Sequence, residues 1–172
     1  MDFRFIAPDL RRLDEVSAEL CACAIWKEER PIGGLAGLLD WRLAGRISKL
    51  AKDGFLKGDL GEVMFLPGRP RLPFDKILVL GLGERESFGD EAFRAATMKL
   101  VKSLEGMHGR RAVVELPGRA DGMIDAERAT ELVLECVGDS VAHDAWVLVE
   151  RPDAQKRITQ LAGDERRRHR RG

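Results

Sequence analysis

The sequence lacks the features that would place it in a membrane or in a secretory pathway. No apolar run approaches the roughly 20 residues that span a bilayer, and residues 1–8 have no basic start followed by an apolar stretch. Three cysteines at irregular spacing are too few, and odd in number, for a disulfide framework. We therefore expect a cytoplasmic, reduced protein that makes no membrane contact.

The sequence also lacks net charge, although its charge is unevenly distributed. Its 29 basic side chains match 29 acidic ones, so no overall field directs the molecule to nucleic acid or to an anionic membrane. Without the basic C-terminal end, 24 basic residues remain against 29 acidic ones, which leaves the body acidic. That end contains Arg166, Arg167, Arg168, Arg170 and Arg171.

Short apolar runs alternate with helical apolar stripes along the chain. Residues 20–26 are apolar on both faces, as expected of a central strand covered by helices. From Leu35 to Leu50 apolar residues recur every three or four positions, which predicts one helix ending at Asp53-Gly54. The alternation predicts an α/β fold, a three-layer αβα sandwich with a mixed, largely parallel sheet. Further strands are predicted at 1–7, 61–67, 76–80, 111–116 and 145–149, and further helices at 90–104 and 125–137.

The C-terminal region predicts a short helix followed by a tail. Pro152 suits the first position of a helix, and Gly163 is expected to end that helix. The arginine-rich residues beyond it have nothing apolar to bury. We therefore expect one domain over 1–163 and a disordered tail over 164–172.

Several segments occur in an order that resembles the N-terminal domain of the leucyl aminopeptidase (cytosol aminopeptidase) family. The resemblance covers nearly the whole chain up to the arginine tail. It implies a macro-domain-like fold that packs beside a separate catalytic domain and contributes to hexamer assembly. The segments are Glu-Arg-Pro at 29–31, Leu-Asp-Trp-Arg-Leu-Ala-Gly-Arg-Ile-Ser at 39–48, Gly-Asp-Leu-Gly-Glu at 58–62, Leu-Pro at 66–67, Arg-Leu-Pro at 71–73 and Ile-Leu-Val-Leu-Gly-Leu-Gly at 77–83.

The same resemblance argues against peptidase activity in this chain. The family's catalytic domain follows the N-terminal one, holds two divalent metals on Asp, Glu and Lys side chains, and contains the segment Asn-Thr-Asp-Ala-Glu-Gly-Arg. That segment does not occur in this sequence. No catalytic residue can be assigned, and we expect neither enzymatic activity nor a cofactor.

Cysteine and histidine residues are the first candidates for a metal site or a nucleophile. Cys21 and Cys23 would lie on the same face of a strand, but structural zinc usually needs two such short pairs. Cys136, His108 and His143 are the remaining candidate ligands. Asp144 follows His143, yet no serine lies in a strand-to-helix elbow where a nucleophile would be expected. We expect buried core cysteines and no metal.

The loop at 81–89 is the candidate ligand-binding loop, because it joins a strand to a helix. Open α/β sheets bind ligands at such positions, and glycine lets backbone amides approach a phosphate. The acidic residues Glu84 and Glu86 offset that attraction. Close packing of the strand against the helix is the alternative explanation for the glycines. The candidate residues are Gly81, Leu82, Gly83 and Gly89.

A basic stripe and an aromatic residue share the segment after residue 40. Arg42, Arg46 and Lys49 are four and three residues apart, so on one helix they would share a face. With the five C-terminal arginines they could contact phosphates; a solvated helix face with a solubilising tail is the competing interpretation. Trp41, just off the apolar stripe, is a candidate anchor for a subunit contact.

The favoured functional prediction is a non-catalytic binding or assembly module that works through protein contacts, with itself or with another chain. Nucleic-acid binding through the basic tail is possible but not favoured. Two alternatives remain open. One is a small-molecule, nucleotide-like binder of the macro-domain type, and the other is a regulatory subunit of a separately encoded aminopeptidase.

Overall fold

The computed structural model describes residues 3–137 and 145–171, in which strands and helices alternate as predicted. The strands are β1 (Phe3–Ile6), β2 (Leu20–Ile25), β3 (Val63–Pro67), β4 (Lys76–Gly81), β5 (Arg111–Val114) and β6 (Ala145–Val149). The helices are α1 (Leu10–Glu15), α2 (Gly34–Arg42), α3 (Arg46–Lys52), α4 (Asp90–Gly106), α5 (Ala126–Val137) and α6 (Pro152–Arg171), with a short 3-10 helix at Arg85–Ser87.

The six strands form one sheet in the order β1-β6-β5-β2-β4-β3. Every neighbouring pair is parallel except β3 and β4, which are antiparallel. All six residues of β2 are buried, as predicted for a central strand. Strand β3 lies at one edge of the sheet. Because one strand pair is antiparallel and the others are parallel, the mixed, largely parallel sheet predicted from the sequence is confirmed.

Helices cover both faces of the sheet and produce the predicted three layers. On one face, α4 and α5 contribute fully buried side chains such as Phe93 and Leu132. On the other face, α1, α2 and α3 contribute Leu13, Leu39 and Ile47. Successive strand residues alternate between these two cores, as the pleat of a β-strand requires.

The single helix predicted from Leu35 to Asp53 is wrong, because the chain breaks between Arg42 and Arg46. Ala44 and Gly45 adopt left-handed conformations, with φ of 55° and 80°. The buried Asp40 stabilises the break, since its Oδ1 accepts the N–H groups of Ile47 at 2.7 Å and Ser48 at 3.1 Å. A carboxylate that caps the first turn in this way starts the second helix, α3.

The C-terminal tail also differs from the prediction. Helix α6 continues through Gly163 to Arg171, so Gly163 does not end it, and residues 164–171 of the predicted disordered tail are helical in the structure. A glycine inside a helix costs only about 1 kcal/mol relative to alanine. The ion pair between Glu165 and Arg168, three residues apart, supports the helix beyond it.

Helices in the described part of the chain are too short or too polar to cross a membrane. This finding agrees with the absence of a long apolar run in the sequence.

Candidate functional site

A cleft opens at the carboxyl ends of the parallel strands, where open α/β sheets bind ligands. It consists of two adjoining cavities of about 110 Å³ and about 530 Å³, here called the inner and the outer cavity. The loops after β2, β5 and β6 form most of the walls. Both cavities are lined by Gly34, Glu115, Ala120 and Asp121.

Glu115 forms the floor of the cleft and fixes the start of α2. It directly follows strand β5, and its Oε2 accepts the Leu35 N–H at 2.9 Å. Gly34 has a φ of +59°, and a Cβ there would lie 2.8 Å from the Ala120 Cβ and 3.1 Å from Glu115 Oε1. Glycine is therefore required at this point, where the first turn of α2 passes close to the loop after β5.

Burial raises the pKa of Glu115 to about 7, against the usual 4.5. The Leu35 N–H lowers the pKa, whereas the nearby carboxylates Glu150, Asp121 and Glu29 raise it further. The carboxyl group therefore changes its charge near neutral pH while lying at the base of a cleft. Perturbed acids of this kind are concentrated at functional sites.

We expect Glu115 to make the protein less stable as the pH rises from 4.5 to about 7. The folded chain holds this proton more tightly than the unfolded chain does, so its contribution is complete below 4.5 and is lost as the pH passes the folded pKa. Relative to Glu115→Gln, the free energy of unfolding of the wild type should fall by up to about 3 kcal/mol. Urea unfolding at several pH values measures this difference, and parallel pH profiles for the two proteins would contradict it.

Arg119 and Glu150 form a nearly buried ion pair on the wall of the outer cavity. The Arg119 Nε and one terminal nitrogen donate to the two Glu150 carboxylate oxygens at 2.7 and 3.0 Å. The other terminal nitrogen donates to the Ile124 carbonyl at 2.7 Å. The pair joins the loop after β5 to the end of β6 and thereby fixes the shape of the cleft.

Arg85, in the loop after β4, connects the loops after β2 and β5 that line the inner cavity. Its Nε donates to Asp121 Oδ2 at 2.9 Å, and a terminal nitrogen lies 3.2 Å from Glu29 Oε1. Its guanidinium group lies over the Trp26 ring, 5.3 Å from the centroid. The Trp26 indole N–H also donates to Asp121 Oδ2, at 3.0 Å, and the edge of Phe88 meets the same ring. One guanidinium is thus held by two carboxylates and an aromatic face.

The candidate loop at 81–89 uses its backbone amides internally. The Gly81 N–H donates to the Glu62 carbonyl, the Leu82 N–H to Ile25 and the Gly83 N–H to Gly58, all at 2.8–2.9 Å. A Cβ on Gly81 would lie 2.0 Å from the Asp59 carbonyl oxygen. Gly89 precedes α4 at a distance from these contacts, and a Cβ added there would meet no atom within 4 Å. Close packing therefore accounts for Gly81, and a phosphate at Gly81, Leu82 or Gly83 would have to displace existing hydrogen bonds.

The basic residues do not form the continuous stripe that was predicted. Arg42 lies on α2 and pairs with Asp14 at 2.7 Å, whereas Arg46 and Lys49 lie on α3 beyond the break. Lys49 pairs with Asp53 at 2.9 Å. The five arginines at the end of α6 are exposed and lie on one helix. Phosphate contact by these residues stays a prediction.

Two of the three cysteines belong to the core, as expected, and the third is only half-buried. Cys21 and Cys23 are both buried in the core beside α1–α3, and burial raises the pKa of both thiols. Cys136 is half-buried on α5, and His108 lies in the turn after α4. His143 and Asp144 lie outside the described residues. Within 3–137 and 145–171, no group of three metal-ligating side chains comes together.

The residues that build the cleft were not found from the sequence. Glu115 and Glu150 each directly follow a buried parallel strand, and a charged residue in that position is a signal that could have identified them. Arg85 and Asp121 carry no such signal, because they are brought together from loops 36 residues apart. Of the predicted ligand residues, Leu82 lines the inner cavity, through a loop whose amides are already bonded.

The strand order, the three layers and the cleft at the carboxyl ends of the strands define an α/β domain of the macro-domain type. A solved Trypanosoma brucei macrodomain in complex with ADP-ribose superposes with a TM-score of 0.70 at 15% identity, covering 93% of this chain and 68% of that one. A solved tomato leucine aminopeptidase gives a TM-score of 0.63 at 15% identity, covering 94% of this chain and 35% of that one. These likenesses concern the fold.

Sequence comparison assigns the family. Residues 24–140 match the model of the N-terminal domain of the cytosol aminopeptidase family, and the chain belongs to that family. A probable cytosol aminopeptidase of Pseudomonas fluorescens (strain Pf0-1) is 31% identical over 136 residues, which cover 78% of this chain and 27% of the relative. The chain therefore spans about a quarter of the length of the curated relatives it matches, as shares of 23% and 27% indicate. The resemblance inferred from the sequence is confirmed.

Proposed function

We propose that this chain is a non-catalytic assembly module that associates with a second copy of itself through strand β3. The match to the family is confined to its N-terminal domain, and the described residues bring no metal-ligating group together. Both observations support a role in contact rather than in peptide hydrolysis. The name of its relatives, cytosol aminopeptidase, supports the proposal that this role is cytoplasmic.

The outer edge of β3 carries the proposal. Within the described chain β3 pairs only with β4, and its residues, Val63 to Pro67, include no charged side chain. Natural edge strands are commonly protected by lysine, by a bulge or by a covering element, because a bare edge pairs with other chains. Proline also protects an edge, but in β3 it occurs only at the last residue, Pro67, and β3 contains no lysine. Two copies could pair along this edge without bringing like charges together.

Exposed apolar side chains lie in β3 and in the segment that precedes it. Phe65 in β3 is 51% exposed, and Phe55 and Leu60, in the segment that leads into β3, are 70% and 45% exposed. Large aromatic side chains are favoured at the centre of protein interfaces. Trp41, at the end of α2, is 75% exposed and remains a candidate for a further contact.

A charged residue in the middle of β3 should prevent association. We expect Phe65→Lys to sediment as a monomer at concentrations where the wild type is a dimer or larger, since a lysine would be buried opposite its own symmetry mate. Sedimentation velocity over a concentration series measures this change. Met98→Lys is the matched control, because Met98 is also an exposed apolar residue, at 41%, but belongs to α4 rather than to β3. Monomeric wild type, or equal association in both variants, would overturn the proposal.

Binding of a nucleotide-like molecule is the second candidate function, and the position of the cleft favours it. The charge of the cleft disfavours such an anionic ligand. Glu115 already accepts the Leu35 N–H in the first turn of α2, and the other lining carboxylates outnumber the lining arginines. An anionic ligand would therefore meet repulsion where helix N-termini usually attract phosphate.

A further inference from the structure

The inner cavity contains a carboxylate oxygen that no described residue satisfies. Glu115 is only 6% exposed, and its Oε2 accepts the Leu35 N–H. In the described part of the chain no group donates to its Oε1, which faces the space that a Cβ on Gly34 would fill. This oxygen is open to the cavity rather than sealed in the core, so a bound group that supplies an N–H can donate to it.

Carboxylates dominate the walls around this acceptor. Glu29 and Asp121 line the inner cavity, and Glu150 and Asp153 line the outer one. Arg119 is already paired with Glu150, and Arg151 is the other lining cation. The electrostatic preference of the cleft is therefore for positive charge.

The chain itself shows that these groups hold a cation. The Arg85 guanidinium is bonded to Glu29 and Asp121 and lies over Trp26, so three residues that line the inner cavity already hold one organic cation. The Arg85 side chain is 47% exposed and comes from a separate loop. It therefore competes with any added cation for Glu29 and Asp121.

We propose that the cleft binds a small organic cation, with a primary ammonium group on Glu115 Oε1 in the inner cavity and an apolar body in the outer cavity. The inner cavity, of about 110 Å³, has room for a head group, and the outer one, of about 530 Å³, is in the range of small-molecule sites. Leu38, Val149 and Ala154 supply apolar surface in the outer cavity. This site is separate from the β3 edge.

Benzylammonium is a suitable test ligand, and the Trp26 indole N–H is the reporter. That N–H donates to Asp121 Oδ2 at the wall of the inner cavity, so its NMR signal should shift on binding and should saturate. The signal is assigned with Trp26→Phe, and the indole of the exposed Trp41 serves as an internal control. Benzyl alcohol tests the need for charge, and ADP-ribose and inorganic phosphate test for an anion site.

Two substitutions should change the affinity in opposite directions. Glu115→Gln keeps an acceptor for the Leu35 N–H but removes the negative charge. It should weaken benzylammonium binding at least tenfold, which corresponds to about 1.4 kcal/mol. Arg85→Ala removes the competing cation and should strengthen binding about threefold to tenfold. Arg69→Ala is the matched control, because Arg69 pairs with Asp75 on the surface and should leave affinity unchanged.

The affinity should also increase with pH. Burial raises the pKa of Glu115 to about 7, so its ionised fraction, and with it the affinity, should rise about tenfold between pH 6 and 8. The charged groups that face Glu115 are Glu29, Asp121 and Glu150, and Arg119 lines the outer cavity with it. The buried Cys21 and Cys23 on the neighbouring β2 have raised thiol pKa values.

Three results would overturn the site. They are the absence of a saturable shift with benzylammonium at pH 8, an equal response to benzyl alcohol or to phosphate, and unchanged affinity in Glu115→Gln. The monomeric Phe65→Lys variant should bind as tightly as the wild type. Its result separates a failure of this site from a failure of self-association.

Discussion

Replacing Arg119 with methionine is expected to lower the free energy of unfolding by about 3–5 kcal/mol. The side chain of Arg119 is 12% exposed and that of Glu150 is 4% exposed, and the two share a bidentate contact. Methionine would leave the Glu150 carboxylate buried without its cation, and the Ile124 carbonyl without its donor. An uncompensated buried charge is more costly than the pair is stabilising. Urea unfolding monitored by circular dichroism gives the difference.

Two further variants show whether the loss comes from the stranded charge. The double variant Arg119→Met with Glu150→Met should regain most of the lost stability, because both charges are then absent. Arg94→Met breaks an exposed pair with Glu135 and should cost less than about 1 kcal/mol. A loss below that size in Arg119→Met, or no recovery in the double variant, would mean that the pair does not hold the cleft together.

Replacing Gly81 with alanine is expected to destabilise the protein by about 1–3 kcal/mol, the usual cost of overpacking. The new Cβ would lie 2.0 Å from the Asp59 carbonyl oxygen and 2.8 Å from the Gly58 carbonyl carbon. Both contacts are with backbone, which cannot rotate away as a flexible side chain would. Thermal and urea unfolding measure the effect.

Gly89→Ala is the matched control, because Gly89 belongs to the same loop. An added Cβ there meets no atom within 4 Å, and the backbone φ of −152° is ordinary extended geometry. Gly89 is the N-cap of α4, where alanine is less favourable than glycine, so its cost should stay below about 1 kcal/mol. Similar costs at the two positions would argue that close packing does not explain Gly81.

The sequence predicted the sheet and most helices because apolar periodicity reflects burial directly. Strand β2 is apolar at every position since helices cover both of its faces, and the pattern of α4 and α5 places one stripe on the core. The break after Arg42 could not be predicted in this way. The apolar stripe continues through Leu43 and Ile47, so the pattern does not mark the break. The structure shows it in the left-handed residues Ala44 and Gly45 and in the side-chain cap from Asp40.

The end of α6 illustrates the opposite error. Gly163 resembled a stop signal, yet nothing near it requires a turn, and its added Cβ would meet open space. The propensity cost of one glycine is smaller than the support from the residues on both sides. A single residue type is therefore a weaker predictor of a helix end than the packing around it.

The cleft was the least predictable part of the molecule. Glu29, Arg85, Glu115 and Asp121 come from three loops, and only the sheet order brings them together. The glycine loop was conspicuous in the sequence, but its amides are used to hold the chain to itself. The sequence pattern identified the glycine loop, whereas the charge and depth of the cleft could be seen only in the folded structure.

Native mass spectrometry of the purified 172-residue chain, at low and moderate salt and without added metal or ligand, tests the central claim most directly. We predict a closed oligomer with an even number of subunits and no additional mass from a metal or a nucleotide. A monomer at every concentration, or a bound divalent metal or nucleotide, would contradict the account of this chain as a non-catalytic assembly module.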